Sequence, residues 1–170
     1  MSTPPGQRTQ RTERTTRGEA ETIALAADLA RALEPGDVVA LHGELGSGKT
    51  RFVRGLAAGL GLDAGRVSSP TFVLVHEYTA AGPGPVQTLV HVDAYRLDPD
   101  DDPAQLGLDA LVDAGAAVLA VEWAERIDAW LPAPGEPGRW DVRLEHAPPG
   151  EPDDVRRVVI DPPAGRVFAG

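Results

Sequence analysis

The run Gly43-Glu44-Leu45-Gly46-Ser47-Gly48-Lys49-Thr50 constrains this chain more than any other. It fits G-x-x-x-x-G-K-[ST]. A short apolar segment, Asp37–His42, precedes it, and a segment of helical periodicity, Thr50–Leu60, follows. A glycine-rich turn between a buried strand and a helix defines a β–loop–α unit. Gly46 and Gly48 admit backbone conformations closed to other residues. Successive amides then face inward and, with the helix N-terminus behind them, form a nest for an anion. The four fixed positions arise by chance in about one in a thousand chains of this composition.

Composition sharpens the reading of that loop. Of 16 basic residues, 15 are arginine, and the one lysine is Lys49. A compact ammonium fits between phosphate oxygens where a planar guanidinium changes the geometry. The motif therefore places Lys49 on the β- and γ-phosphates of a nucleotide and the Thr50 hydroxyl on Mg²⁺.

The 170 residues are expected to form one domain, and the absence of cysteine excludes disulfides, cysteine-ligated metal and thiol catalysis. A formal charge of −10 argues against a dedicated nucleic-acid binder. Residues 1–17 differ: they carry four arginines against one glutamate and almost no apolar residues, and read as a disordered basic tail. That leaves a domain at 18–165 and a short C-terminal tail at 166–170. No secretory signal and no membrane-spanning run is present in the sequence, so a cytoplasmic location is expected.

Glu19–Leu33 reads as an amphipathic helix closed by Pro35-Gly36. Phe72–Thr79 and Val86–Asp93 read as strands joined by a Gly/Pro turn, and Ala104–Asp113 as helical. Ala116–Val121 reads as a buried strand followed by a short helix through Trp130. Trp140–Glu145 and Val155–Asp161 read as late strands. The expected architecture is an α/β sandwich with a mixed, mainly parallel sheet flanked by helices.

Mg²⁺ takes oxygen ligands, one or two of them from the protein. Two carboxylates end apolar strands, where α/β proteins bind ligands: Asp93 after LVHV and Glu122 after AVLAV. The residues alone leave open which of them meets the metal. Ser68-Ser69-Pro70-Thr71 gathers three hydroxyls around a proline, which suits either a strand-entry turn or a segment ordered by phosphate. His42, His76, His91 and His146 show no tight metal-ligand spacing and read as solvated or structural.

These residues together resemble the TsaE family, small ATPases of tRNA threonylcarbamoyladenosine biosynthesis. The likeness runs in order from about Glu19 to Leu131: GELGSGKT, SSPTF at 68–72, HVDAYRL at 91–97, LGLDAL at 106–111 and VEW at 121–123. It implies a P-loop NTPase-like sandwich, with ATP and Mg²⁺ as cofactors. Leu45, Gly46, Ser47, Gly48, Lys49 and Thr50 are implied to hold the phosphates, and Thr50 and Glu122 the Mg²⁺. Lys49, Asp93 and Glu122 are the implied catalytic set, with Asp93 orienting water or acting behind the metal. Trp123 is implied to lie near the nucleotide, Thr71 to sense the γ-phosphate, and a late-strand arginine, Arg156 or Arg157, to touch the nucleotide. The implied partners are TsaD and TsaB homologues, with ATP hydrolysis driving or resetting their complex and no direct tRNA contact by this chain.

Two other functions compete. A small-molecule kinase needs an arginine-bearing lid, and residues 124–140 offer only Arg126 and Arg139. A nucleotide-sensing binding module would use ATP occupancy alone.

Overall fold

The computed structural model describes residues 10–70, 75–98, 101, 107 and 117–170. Seven strands form one sheet: β1 (Thr12–Arg17), β2 (Val38–His42), β3 (Val75–Thr79), β4 (Thr88–Asp93), β5 (Ala117–Glu122), β6 (Arg139–His146) and β7 (Val155–Asp161). Their order is β1-β7-β6-β2-β5-β4-β3. The four central strands, β6, β2, β5 and β4, run parallel, while β1–β7, β7–β6 and β4–β3 pair antiparallel. Parallel pairing thus holds the centre rather than most of the sheet. The β3–β4 hairpin appears as read, with Thr79 opposite Thr88.

Two helices, α1 (Glu19–Ala30) and α2 (Lys49–Gly59), pack on one face of the sheet. Leu25 and Leu29 from α1 and Phe52, Val53 and Leu56 from α2 join inward residues of β2, β5, β6 and β7 in the main core. Phe52 is fully buried, and truncating such a side chain to alanine costs about 3–5 kcal/mol. The two helices approach closely through glycine. A Cβ at Gly55 would lie 2.4 Å from the Ile23 carbonyl, and one at Gly59 would lie 2.5 Å from the Ala27 carbonyl. The opposite face carries a second core of Val38, Ala40, Val90, Val92, Leu119 and Val121, covered by Ala124, Ile127 and Leu131. Among the described residues both α-helices lie on the first face.

The described parts of both chain ends depart from the sequence reading, residues 1–9 of the expected tail lying outside them. Residues 12–17 are not a disordered tail but an edge strand paired with β7, from Thr12 opposite Ile160 to Arg17 opposite Val155. The strand needs no large apolar residue. Its threonines have high strand propensity, and Thr12 and Thr16 are buried. The Thr12 hydroxyl donates to the Phe168 carbonyl, and those of Thr16 and Thr22 lie 2.8 Å apart. On the other face the Arg11–Asp161 and Arg157–Glu13 ion pairs tie β1 to β7.

The C-terminus is also part of the domain. Phe168 enters the main core, and Arg166 donates to both oxygens of Asp37 at 2.8 Å. Asp37 is buried and also accepts from Trp140 Nε1 and the Glu34 amide.

The expected helix through Trp130 is a single 3-10 turn, Ala124–Arg126. Trp123 leaves β5 at φ 58°, which breaks any helix beginning there. Trp123 and Trp130 are both half-buried against the second core without sharing a helical face. Apart from Gly107, the expected helix at 104–113 and the 106–111 motif lie outside the described residues, as does Thr71. Among the described residues no helix is long and apolar enough to cross a membrane.

Candidate functional site

The parallel strands β2, β5 and β4 all end on one side of the sheet, and the glycine-rich loop leaves β2 there. Gly43 must be glycine twice over. Its φ is 145°, and a Cβ would lie 2.4 Å from the Leu144 carbonyl and 2.6 Å from Ser47 Oγ. Gly48 opens α2 in the left-handed conformation, with no side chain capping the helix and no acidic residue in its first turn. The first-turn amides are therefore left for an outside acceptor.

Lys49 is 4% exposed and sits over the loop. Its Nζ donates to the Gly43 carbonyl at 2.6 Å and the Glu44 carbonyl at 2.8 Å, and lies 3.9 Å from the centre of the Trp123 ring. Burial pushes the ammonium down from its ordinary pKa, while Glu122, Glu125 and Asp93 work against that shift. Trp123 in turn packs on Tyr95, with ring centres 5.0 Å apart.

Asp93 and Glu122 are register partners on β4 and β5. Alternation along each strand points both toward the α2 side, and each is more than nine-tenths buried. Glu122 Oε1 accepts from the Thr50 hydroxyl at 2.6 Å and lies 2.8 Å from His91 Nε2. Asp93 accepts from the Ser69 hydroxyl and from the Tyr95 amide, both at 2.9 Å. A cleft of about 350 Å³ opens here, lined by Leu45, Gly46, Gly48, Lys49, Thr50, Arg51, Ser69, Asp93, Tyr95, Glu122 and Trp123.

Of the residues singled out in the sequence for the site, Thr71 lies outside the described residues and Ser47, Arg156 and Arg157 do not line the cleft; the structure gathers the others. Ser47 lies in the loop but does not line the cleft; its hydroxyl is buried without a partner. Arg156, expected to touch nucleotide, does not line the cleft either. Its guanidinium is spent on the carbonyls of Ser47 at 3.0 Å and Gly46 at 3.2 Å, and on those of Asp153 and Val155. It braces the loop. Arg157 points to the other face, where Glu13 and Glu145 hold it.

His91 is the residue the sequence reading missed. The strand alternation that brings Asp93 to the site also brings His91, two residues earlier, to the same face.

A larger cleft, about 590 Å³, lies on the opposite face beside His42. Burial disfavours charge on His42, but Asp141 at 2.9 Å and Glu125 at 3.3 Å outweigh it and raise its pKa to about 9. Arg139 pairs there with Asp128 and Asp141, and Arg11 with Asp161, while Arg143 also lines the cleft. The smaller cleft has the convergent donors and the uncapped helix, and it is the candidate site.

Oxygen ligands from a hydroxyl and a carboxylate at the mouth of an uncapped helix suit a hard cation beside an anion. The model of the TsaE family, described as threonylcarbamoyl adenosine biosynthesis protein TsaE, matches residues 16–152. The chain is 42% identical over 132 residues to tRNA threonylcarbamoyladenosine biosynthesis protein TsaE of Streptomyces coelicolor, covering 78% of this chain and 84% of that protein. It is 44% identical over 112 residues to the protein of the same name from Bacillus subtilis, covering 66% of each. The crystal structure of Bacillus subtilis YdiB superposes with a TM-score of 0.64 at 33% identity, covering 89% of this chain and 84% of that one. The loop, the two strand-end acids and these likenesses agree: the chain belongs to the TsaE family.

Proposed function

We propose that the chain is a magnesium-dependent ATPase of tRNA threonylcarbamoyladenosine biosynthesis. One observation carries this reading: Lys49, the Thr50–Glu122 pair and Asp93 converge on a single cleft at the uncapped start of α2. The glycine-rich loop acts as a phosphate-binding loop. Its amides and the helix N-terminus receive the β-phosphate. Lys49 exchanges its two loop carbonyls for phosphate oxygens, and a cation close to a phosphate is worth more in a site screened from water.

Thr50 and Glu122 are the residues that would hold Mg²⁺. When bound, the ion supplies charge neutralisation across the phosphates. The Thr50 hydroxyl already gives its proton to Glu122, so its oxygen keeps lone pairs for a cation. Asp93, held by Ser69 and the Tyr95 amide, is fixed to orient water. Water adds to the γ-phosphorus, the bond to the bridging oxygen breaks, and ADP and phosphate leave.

Among the described residues no arginine from 124–140 lines this cleft. Arg126 lies against Tyr95 and the Leu97 carbonyl, and Arg139 is buried among Asp128 and Asp141. That disfavours a kinase lid. It favours a slow ATPase that a partner completes, with TsaD and TsaB homologues as the proposed partners. The test is retention of this chain on a TsaB–TsaD pair from the same cell, with and without ATP. Retention that depends on ATP supports the reading, and no binding in either state rejects the partner assignment. ATP turnover by Lys49→Ala at the wild-type rate rejects the ATPase itself.

A further inference from the structure

His91 is fully buried, although histidine carries two polar ring nitrogens. It sits on β4 between Leu89, in the main core, and Asp93, in the cleft. Its Nε2 is 2.8 Å from Glu122 Oε1, and its Nδ1 is buried with no partner. A proton on Nδ1 would be an orphaned buried donor, which folded proteins avoid. The hydrogen-bond network therefore assigns the ring proton to Nε2. His91 donates and Glu122 accepts.

Glu122 Oε1 thus receives two donors from two elements, His91 on β4 and Thr50 on α2. Its Oε2 has no partner among the described residues, while the residue lines the cleft. An apolar side chain at position 91 would fill the same core but leave Oε1 held by Thr50 alone. The carboxylate would then be free to turn. We infer that His91 is a positioning residue that locks the Glu122 carboxylate from beneath, so that its second oxygen is held ready for a divalent cation. The inference rests on the nucleotide-site reading above. Partners behind a metal ligand fix its orientation in this way, and losing one costs about 10–100-fold in metal affinity.

The test is equilibrium binding of a fluorescent ADP analogue to the full chain, in excess EDTA and across a Mg²⁺ titration. His91→Leu is expected to bind the analogue in EDTA as the wild type does. Its Mg²⁺ midpoint is expected to rise by about tenfold or more. His91→Gln, whose amide nitrogen can reach the Nε2 position, is expected to restore the midpoint; His91→Asn, whose amide is too short, is not. The Gln and Asn pair decides the matter if the leucine variant does not fold. An unchanged Mg²⁺ midpoint in the folded leucine or asparagine variant overturns the inference. So does equal weakening in EDTA and Mg²⁺, which marks a merely structural role. Failure of the unaltered chain to bind nucleotide removes the site reading together with this inference. A normal wild-type Mg²⁺ response that ignores position 91 removes this inference alone.

Discussion

Two histidine–carboxylate clusters flank the strand that feeds the glycine-rich loop, and they differ in what they leave unsatisfied. On one face, His42 bridges Asp141 and Glu125, and Arg139 and Asp128 complete the balance. Most charged groups there pair with one another, although Arg143 also lines that larger cleft. On the other face, His91, Glu122 and Thr50 form a chain that ends at uncapped helix amides and at a lysine holding only carbonyls. On the proposed reading, the uncapped helix and the convergent donors mark the site where cleft volume does not.

The largest effect expected from breaking this contrast is at Lys49. Lys49→Ala should lower ATP turnover by about a thousandfold, since it removes the main cation from the phosphates. A steady-state phosphate-release assay measures it. Glu122→Gln comes next, with turnover down about a hundredfold and the Mg²⁺ requirement raised. Arg156→Ala leaves the cleft lining intact but unbinds the loop. Because it strips partners from several carbonyls, it should cost about 2–3 kcal/mol of stability by denaturant unfolding and weaken nucleotide binding as the loop loosens.

The smallest effect lies on the other face. The pKa of His42 is raised in the fold, so its stabilising contribution is complete below its unfolded value, near 6.5, and fades as pH climbs through about 9. His42→Gln should therefore lose on the order of 2 kcal/mol at pH 6 and almost nothing above pH 10. Its turnover near pH 10, relative to the wild type there, should be unchanged. Unfolding curves across that range check the first part. A large loss of nucleotide binding in His42→Gln would erase the distinction between the two faces.

Much of the site was legible because its residues follow short, phase-locked patterns. The loop has a fixed spacing, and Asp93 and Glu122 announce themselves as acids at the ends of apolar runs. Parallel pairing in register then brings those two acids together. What stayed hidden depended on contacts distant in sequence. Arg156 looks like a free late-strand cation until the fold sets its guanidinium against Ser47 and Gly46. His91 reads as an ordinary core histidine until β5 supplies Glu122. The edge strand β1 looks disordered by composition because its stability comes from β7 and from the Phe168 segment, both at the far end of the chain.

The most direct measurement is a crystal structure of the full chain with Mg²⁺ and a non-hydrolysable ATP analogue. The predicted result places the phosphates on the amides of residues 46–50, with Lys49 Nζ moved from the Gly43 and Glu44 carbonyls onto phosphate oxygens and the ion held by Thr50 and Glu122. Phosphates seated in the cleft beside His42, or a bound nucleotide that leaves Lys49 on its two carbonyls, would contradict the account.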